Sequence, residues 1–367
     1  MSLLVAVLMM TQLPANRPPL PGVSGDPNDW QSYFDQGAQL LRRHPNRADS
    51  MFIWASHLDP TRAEPLFARW VAFWMRDVRR FERAVYREGR LSPGDSALIR
   101  GADSLFLHAL ERNPFVPQNL IVLAYEDVAM DMPENSLNMG FFAYGRQQYT
   151  LAASHLGQAI TQNPKLLWLH YDRALTFVPR QEYDSAAVEL AALLAALRSQ
   201  EQKRMSPIYE SKELITYGLG VLHLVEGHND SAQQFFEQAV TENLAFFPAQ
   251  VELGDLALIH RDTVLASRSF RQAADLAPAE AWVQARYGVA LQLMGRSIDA
   301  MDPLQRAIKL EPWWAEPYRL LGLAWEDAGD KQEAAKAFAA YLERAPQRET
   351  DKINDVKRRL AAAQARN

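Results

Sequence analysis

The chain has 367 residues, of which 48% are apolar, and its formal net charge is -5 at pH 7. This composition is ample for a buried core, and the mild negative charge argues against general nucleic-acid binding. The chain contains no cysteine. It therefore has no disulfide, thiol nucleophile, thiolate metal site or lipid-accepting cysteine.

The N-terminal segment, residues 1–28, differs in character from the rest. Ser2–Met10 is an apolar run far too short to span a bilayer as a helix, and a Pro/Gly-rich stretch follows it. The run resembles the apolar core of a secretory signal peptide. Two features argue against this: no Lys or Arg precedes the run, and Leu13 and Ala15 make a poor cleavage site. We interpret this segment as signal-like or disordered. Export, to the periplasm or the medium, is favoured over a cytoplasmic location, and cleavage within residues 1–15 stays open.

Residues 29–132 are predicted to form divergent helical hairpins. Alanine, phenylalanine and alanine occur at positions 48, 52 and 55, and again at positions 102, 106 and 109. Later units carry a glycine before this pattern, whereas the first unit has Gln36 at that place with Gly37 beside it. A long helix and turn are expected between the two patterns.

That long helix, over residues 69–90, is the most basic element of the chain. Its arginines are Arg69, Arg76, Arg79, Arg80, Arg83, Arg87 and Arg90. Several fall on one face, which could meet phosphates or anionic lipid. Acidic residues interleave with them, and Trp70 and Trp74 give the helix another face to bury, so a solvated face is favoured. Binding of an anionic surface or a nucleic acid is kept as the alternative function.

More regular units follow in residues 133–200. Small, bulky and proline positions match the later units at Gly140, Leu156 and Pro164, and Tyr149 and Tyr183 are separated by the same interval as those units. We predict two helical hairpins here. An additional polar stretch then precedes the next unit, and residues 201–212 are interpreted as an insertion or hinge.

The strongest pattern lies in residues 213–348, where the same residue types return at a constant interval. Glycine occurs at positions 220, 254, 288 and 322, alanine at 232, 266, 300 and 334, and a bulky apolar residue at 236, 270, 304 and 338. A fixed period near 34 with small, large and breaker positions in register indicates an array of helical hairpins. We predict four units in this stretch.

Each unit is expected to contain two helices, one through the glycine and one from the alanine to the next proline. Small residues such as Gly288 and Ala300 would let the two helix axes come close. Phe270 and Phe338 are expected to fill the gap between neighbouring hairpins. Pro312 would end a second helix, because proline lacks a backbone donor and restricts the residue before it.

This spacing, the pair of small residues and the Leu-Glu-Pro sequence at 310–312 resemble the tetratricopeptide repeat family. The resemblance implies an all-α, right-handed superhelical solenoid of antiparallel helix hairpins. Residues 349–367 are predicted to be a capping helix, because Ile353, Val356 and Leu360 recur at helical spacing beside charged residues.

In this family the first helix of each unit lines the concave surface, and positions 2, 5, 9 and 12 face the ligand. The resemblance therefore implies a groove in this chain that binds another protein or a peptide segment. The residues predicted to line it are Phe141, Tyr144, Trp168, Tyr171, Tyr217, Val221, Asp255, Trp282 and Arg319.

The sequence does not contain a motif that indicates a catalytic centre. The histidine pair His223 and His228 has a spacing of five without a known metal motif, and the other histidines stand apart. We predict a non-catalytic interaction scaffold with no catalytic residue, cofactor, metal or small-molecule substrate. On this interpretation neither a nucleic-acid partner nor a transmembrane segment is expected.

Overall fold

The computed structural model describes residues 17–20, 25–76, 93–120, 135–199 and 211–364. Within these ranges the regular structure is helical, without a strand, and no helix is long and apolar enough to cross a membrane. This confirms the prediction of an all-α array of antiparallel hairpins. The apolar run at 2–10 and the arginines from position 79 to position 90 lie outside the described residues.

The described residues fall into two compact units. Unit 1 is built from residues 37–53 and from those described between 62 and 242, and unit 2 from residues 18–36, 54–61 and 243 onward. The first two helices contribute residues to both units and are α1 (Trp30–Leu40) and α2 (Pro45–Leu58). The other helices of unit 1 are α3 (Glu64–Arg76), α4 (Pro93–Arg112), α5 (Ser136–Gly145), α6 (Tyr149–Gln162), α7 (Leu169–Phe177), α8 (Tyr183–Ser199), α9 (Lys212–Val225) and α10 (Asn229–Glu242).

Unit 2 contains the three last hairpins and a final helix. These are α11 (Phe247–Ile259), α12 (Thr263–Leu276), α13 (Ala281–Leu293), α14 (Ser297–Leu310), α15 (Glu316–Asp327), α16 (Lys331–Arg344) and α17 (Thr350–Gln364). Within each hairpin the two helices pack antiparallel, and first helices α11, α13 and α15 also contact their neighbours. The first helices therefore form one layer of the unit.

The glycine column explains how closely the two helices of a hairpin approach. A Cβ atom added at Gly254 would lie 2.7 Å from the Phe270 ring, and one at Gly322 would lie 2.5 Å from the Phe338 ring. Any larger residue at these glycines would clash with a buried ring. The sequence predicted that Phe270 and Phe338 fill the gap between hairpins. In the structure each ring lies against the glycine of its own hairpin.

The divergent first hairpin uses the same contact. Gly37, rather than Gln36, faces the bulky residue, because a Cβ atom at position 37 would lie 2.5 Å from the ring of Phe52. The spacing from glycine to phenylalanine is therefore one residue shorter here than in the regular units. An alignment at a fixed period assigned the wrong residue to this position.

The turn inside each regular hairpin has one residue in the left-handed region. Its φ is positive at Gln147, Gln181 and Arg261 as well as at the glycines 227, 295 and 329. These positions recur at the period of the repeat within each run of regular units. The backbone geometry of the turn is thus constant even where glycine, which adopts it without strain, is absent.

Unit 2 also contains contacts between residues far apart in the chain. Asn28 Nδ2 donates a 3.0 Å hydrogen bond to the carbonyl of Glu343, and the backbone N–H of Gln347 donates to the Asp26 carboxylate at 2.6 Å. Arg348 pairs with Asp29 at 3.1 Å. In a simple solenoid each repeat contacts only its neighbours, so the sequence periodicity did not predict these contacts.

Helix α17 lies against the last hairpin, where the sequence placed a capping helix. Val356 is fully buried, and Ile353 and Leu360 pack against the cluster that contains Phe338 and Tyr341. The apolar stripe of the helix thus covers the apolar side of the last repeat, and its charged residues remain toward solvent.

Candidate functional site

The predicted groove residues of unit 2 come from its three first helices, α11, α13 and α15. Asp255, Trp282 and Arg319 are half-buried, as is Val289, which also lies on α13. We call these four residues together with Glu252 the first-helix face of unit 2. It is partly accessible, and it combines an aromatic ring, an aliphatic side chain and charged groups.

Two carboxylates stand next to each other on this face. Loss of hydration and repulsion from Asp255 raise the pKa of Glu252 to about 7, against the opposing influence of Arg286. Loss of hydration also raises the pKa of Asp255, although Arg286 lowers it by an ion pair with a 2.7 Å Nη2 to Oδ2 distance. One arginine thus faces two carboxylates. A second cation supplied by a partner would stabilise the charged form of both carboxylates.

The aromatic residue of this face is held by its surroundings. The Trp282 ring lies 5.9 Å from the ring of Phe247, and its Nε1 donates a 3.1 Å hydrogen bond to Glu280. Arg319 is oriented by Glu316, with Nε to carboxylate oxygen distances of 3.1 and 3.2 Å. Both side chains are therefore preorganised, which lowers the entropy cost of binding a ligand against them.

Unit 1 carries a second pair of rings, in which Trp168 stands at the repeat position of Trp282 and Phe141 at that of Val289. Phe141 on α5 and Trp168 at the start of α7 lie parallel, with centroids 6.1 Å apart and an interplanar angle of 8°. Both residues are half-buried, as is Val221 on α9. These three predicted groove residues keep part of their surface accessible.

The three tyrosines predicted for the groove are buried. Tyr144, Tyr171 and Tyr217 have exposed fractions of 7%, 2% and 3%. The expectation that they are available to a partner is therefore wrong. Burial also raises the pKa of the Tyr144 and Tyr171 hydroxyls, so neither ionises near neutral pH.

The segment after α4 covers two of these tyrosines. The Tyr171 hydroxyl donates a short hydrogen bond to the carbonyl of Pro114, and the backbone N–H of Gln118 donates to the Tyr144 hydroxyl at 3.3 Å. Val116, between them, is fully buried. We call residues 114–118 the covering segment. It belongs to the irregular part of the chain, which the repeat pattern does not describe.

Sequence reasoning missed Glu252 and Arg286 on the first-helix face of unit 2. Both occupy the repeat position directly after position 5, since Glu252 follows Val251 and Arg286 follows Ala285. The four positions taken from the family leave this one out. An alignment of charges along that column would have found both residues.

The basic helix is described only as far as Arg76. Arg69 pairs with Asp49 at 3.2 Å, and Arg76 contacts the same carboxylate. The two arginines of this helix that the structure describes thus share one carboxylate within the chain. Arg80, Arg83 and Arg87, on which the anion-binding alternative chiefly depended, lie outside the described residues.

A cluster at the hairpin turn between α9 and α10 adds a possible site for a metal. Among the described residues, His223, Glu226 and His228 each present one ligand atom, and these atoms lie within 4.8 Å of one another. The spacing of these two histidines along the chain did not predict a metal site.

Three observations decide the kind of fold: the close glycine-to-ring contact, the left-handed turn residue and the constant period at which both recur. The chain is a tetratricopeptide-like repeat array. No protein-family model matches it, and no curated protein matches it in sequence.

Solved structures of tetratricopeptide-like proteins are similar to part of the array. A crystal structure of MamA protein is 20% identical, covers 48% of this chain and 91% of its own length, and gives a TM-score of 0.41. MamA from Desulfovibrio magneticus RS-1 is 18% identical over 48% of this chain and 94% of its own, with a TM-score of 0.41. YrrB, described as a TPR protein with an unusual peptide-binding site, is 16% identical over 56% of this chain and 100% of its own, with a TM-score of 0.42.

Proposed function

We propose that this tetratricopeptide-like array is a non-catalytic scaffold that binds a segment of another protein on the first-helix face of unit 2. The observation that carries the proposal is the half-buried, preorganised Trp282 on the same helix as Arg286, which faces two carboxylates. Aromatic anchors surrounded by polar groups are typical of the centre of protein interfaces.

The chemistry of the face defines the segment that fits it. An apolar side chain would pack on Trp282 and Val289, and a Lys or Arg would pair with Glu252 and Asp255. The added cation would lower the raised pKa of both carboxylates, so part of the binding free energy would come from their ionisation. Phosphate groups would meet these carboxylates and be repelled, which disfavours nucleic acid on this face.

In unit 1 the parallel rings of Phe141 and Trp168 offer a second apolar contact for a protein partner. The half-buried residues predicted for this surface of unit 1 are Phe141, Trp168 and Val221. None of them is a carboxylate, in contrast to Glu252 and Asp255 in unit 2. We assign it a supporting role, with packing on the rings as the source of affinity.

The experiment uses the full-length chain as bait for a library of displayed random peptides. We expect selected peptides that combine an aromatic or aliphatic residue with Lys or Arg. Their affinity for the wild type and for Trp282→Ala is then measured by fluorescence anisotropy. Loss of a central aromatic anchor is expected to cost about 2 kcal/mol, or roughly 30-fold in Kd.

Two charge variants form a matched pair. Asp255→Asn removes a carboxylate from the proposed surface, whereas Asp302→Asn removes an exposed carboxylate on α14 that pairs with Arg306 in its own helix. The first is expected to weaken binding of basic peptides and the second to leave it unchanged. Equal affinity for wild type and a folded Trp282→Ala variant would place the peptide elsewhere and refute the proposal.

A further inference from the structure

The turn between α9 and α10 brings together two histidines and a glutamate. His223 lies near the end of α9, Glu226 directly follows the helix, and His228 precedes α10. One ring nitrogen of each histidine and one oxygen of Glu226 lie within 4.8 Å of one another. Among the described residues, this is the group of histidine and acidic side chains whose ligand atoms are close enough together to hold a metal ion.

The backbone of the turn fixes the relative positions of the three residues. The N–H of Glu226 donates to Leu222 O at 3.2 Å, and the N–H of His228 donates to His223 O at 2.9 Å. Gly227, between the two ligands, takes the left-handed conformation with φ of 80°. The chain therefore reverses at this turn and returns His228 to the side of the helix that carries His223.

The same turn recurs in the following repeats with other residues. The position of His223 is taken by Ala257 and Leu291, which are buried apolar residues. The position of His228 is taken by Asp262, whose side chain accepts from the N–H of Leu265 and so caps the next helix. This one repeat thus replaces an apolar core residue and a capping residue by histidines.

The ring of His223 is held in place but incompletely paired. It stacks on Phe235 with centroids 5.2 Å apart and an interplanar angle of 7°. Its Nδ1 is shielded from water and has no hydrogen-bond partner in the described part of the chain. Burying such a nitrogen unpaired is unfavourable. A metal ion bound through Nδ1 would give this nitrogen the partner that it lacks.

We propose that His223, Glu226 and His228 bind a divalent transition-metal ion of the zinc class, a property beyond the interaction function proposed above. Two imidazoles and one carboxylate suit Zn²⁺, whereas Mg²⁺ and Ca²⁺ prefer oxygen ligands throughout. Ligand atoms around tetrahedral zinc lie about 3.4 Å apart, given bonds of about 2.1 Å. The side chain of His228 is 61% exposed and Glu226 lies beside it at 3.6 Å, so rotation of the exposed ring can close the site. The fourth ligand is water or a group from a partner.

The test uses untagged full-length protein and two probes, Zn²⁺ in calorimetry and Co²⁺ in absorption spectroscopy. We expect one ion per chain, the visible bands of tetrahedral cobalt, and a thermal midpoint that rises with added zinc. His228→Ala leaves the core untouched and is expected to weaken zinc binding by at least roughly 10–100-fold, the loss that even outer-shell substitutions cause.

Two further variants separate a built site from binding by scattered surface histidines. His223→Leu introduces the residue found at Leu291, and it should keep or raise the metal-free thermal midpoint while abolishing the response to zinc. His260→Ala changes the exposed histidine one repeat after Glu226 and should leave binding unchanged. The proposal is overturned if the wild type shows no saturable zinc binding, if His223→Leu binds zinc as tightly as the wild type, or if His260→Ala loses it.

Discussion

The first-helix faces of the two units carry residues from the same repeat positions, yet their surroundings differ. In unit 1, Tyr144 and Tyr171 are buried beneath the covering segment, residues 114–118. In unit 2, Trp282 and Arg319 keep part of their surface accessible. At the repeat position that Tyr171 and Arg319 share, one side chain is buried and the other is half-buried, whereas Trp168 and Trp282 share a position and are both half-buried. In unit 1, irregular chain outside the repeats adds to the burial of two tyrosines.

One column shows the difference directly, because it places an acid in both units. Asp172 and Glu252 each stand two residues before the small residue of the repeat, Ala174 and Gly254. Asp172 is 7% exposed, and burial raises its pKa to about 8. Glu252 is half-buried, and loss of hydration with repulsion from Asp255 raises its pKa to about 7.

The largest expected effect is on the free energy of unfolding, when a buried aromatic residue is replaced and compared with a half-buried one. Tyr171→Ala should lower the free energy of unfolding by about 3–5 kcal/mol, because it removes a fully buried ring. Trp282→Ala should cost less, since that ring is only half-buried. Urea unfolding of both variants gives the comparison. Equal losses would show that the two first-helix faces are buried alike.

Removing the Tyr171 hydroxyl tests how much its hydrogen bond to the covering segment contributes to stability. Tyr171→Phe should cost about 1–3 kcal/mol, because the buried carbonyl of Pro114 loses its donor. Tyr149→Phe, in the same unit, is the matched control, since Tyr149 is half-buried and makes no hydrogen bond through its hydroxyl in the described chain. A neutral Tyr171→Phe variant would mean that the segment does not depend on this bond.

The acid column predicts a dependence of stability on pH. The folded-state pKa of Asp172 is raised, so the folded state binds a proton that the unfolded state releases between about pH 4 and pH 8. The free energy of unfolding should therefore fall as pH rises through this window and level off above it. Asp172→Asn should raise stability at pH 8 by about 1–3 kcal/mol and leave it unchanged near pH 4.

Glu252→Gln is the counterpart in unit 2. Its window ends near pH 7, and its effect should be smaller because solvent screens a half-buried charge. Urea titrations at several pH values measure both variants. A larger pH effect at Glu252 than at Asp172 would contradict the difference in burial between the two faces.

The smallest effect concerns a position outside both faces, where the units should respond alike. Gln181 in unit 1 and Arg261 in unit 2 have φ of 58° and 61°. Replacing either by glycine relieves the left-handed strain and should raise stability by about 0.5–1 kcal/mol. The reverse change, Gly295→Ala, should lower it by a similar amount. Thermal melts suffice, and a gain at only one of the two positions would show that the turns are not equivalent.

Much of the fold was determined by the sequence alone. The repeat period, the glycine that meets a bulky residue, and the helix after position 349 all follow from local spacing, since a hairpin repeats its own contacts wherever its residues recur. The structure corrected the glycine of the first hairpin to Gly37 because the spacing there is one residue shorter. The rings of Phe270 and Phe338 also lie against the glycine of their own hairpins, within clusters that include residues of the next helix.

Accessibility and long-range pairing were decided only by the tertiary structure. Tyr171 and Trp282 are both aromatic residues on first helices, at different positions of the repeat, and the repeat pattern does not predict that the carbonyl of Pro114 accepts a hydrogen bond from Tyr171. The proximity of His223 and His228 was also decided by the tertiary structure. The two residues are five apart in the chain, and the left-handed turn at Gly227 brings their side chains together. Periodicity encodes contacts between neighbouring helices. Contacts made by irregular segments depend on where the folded chain returns, and no repeat in the sequence records that.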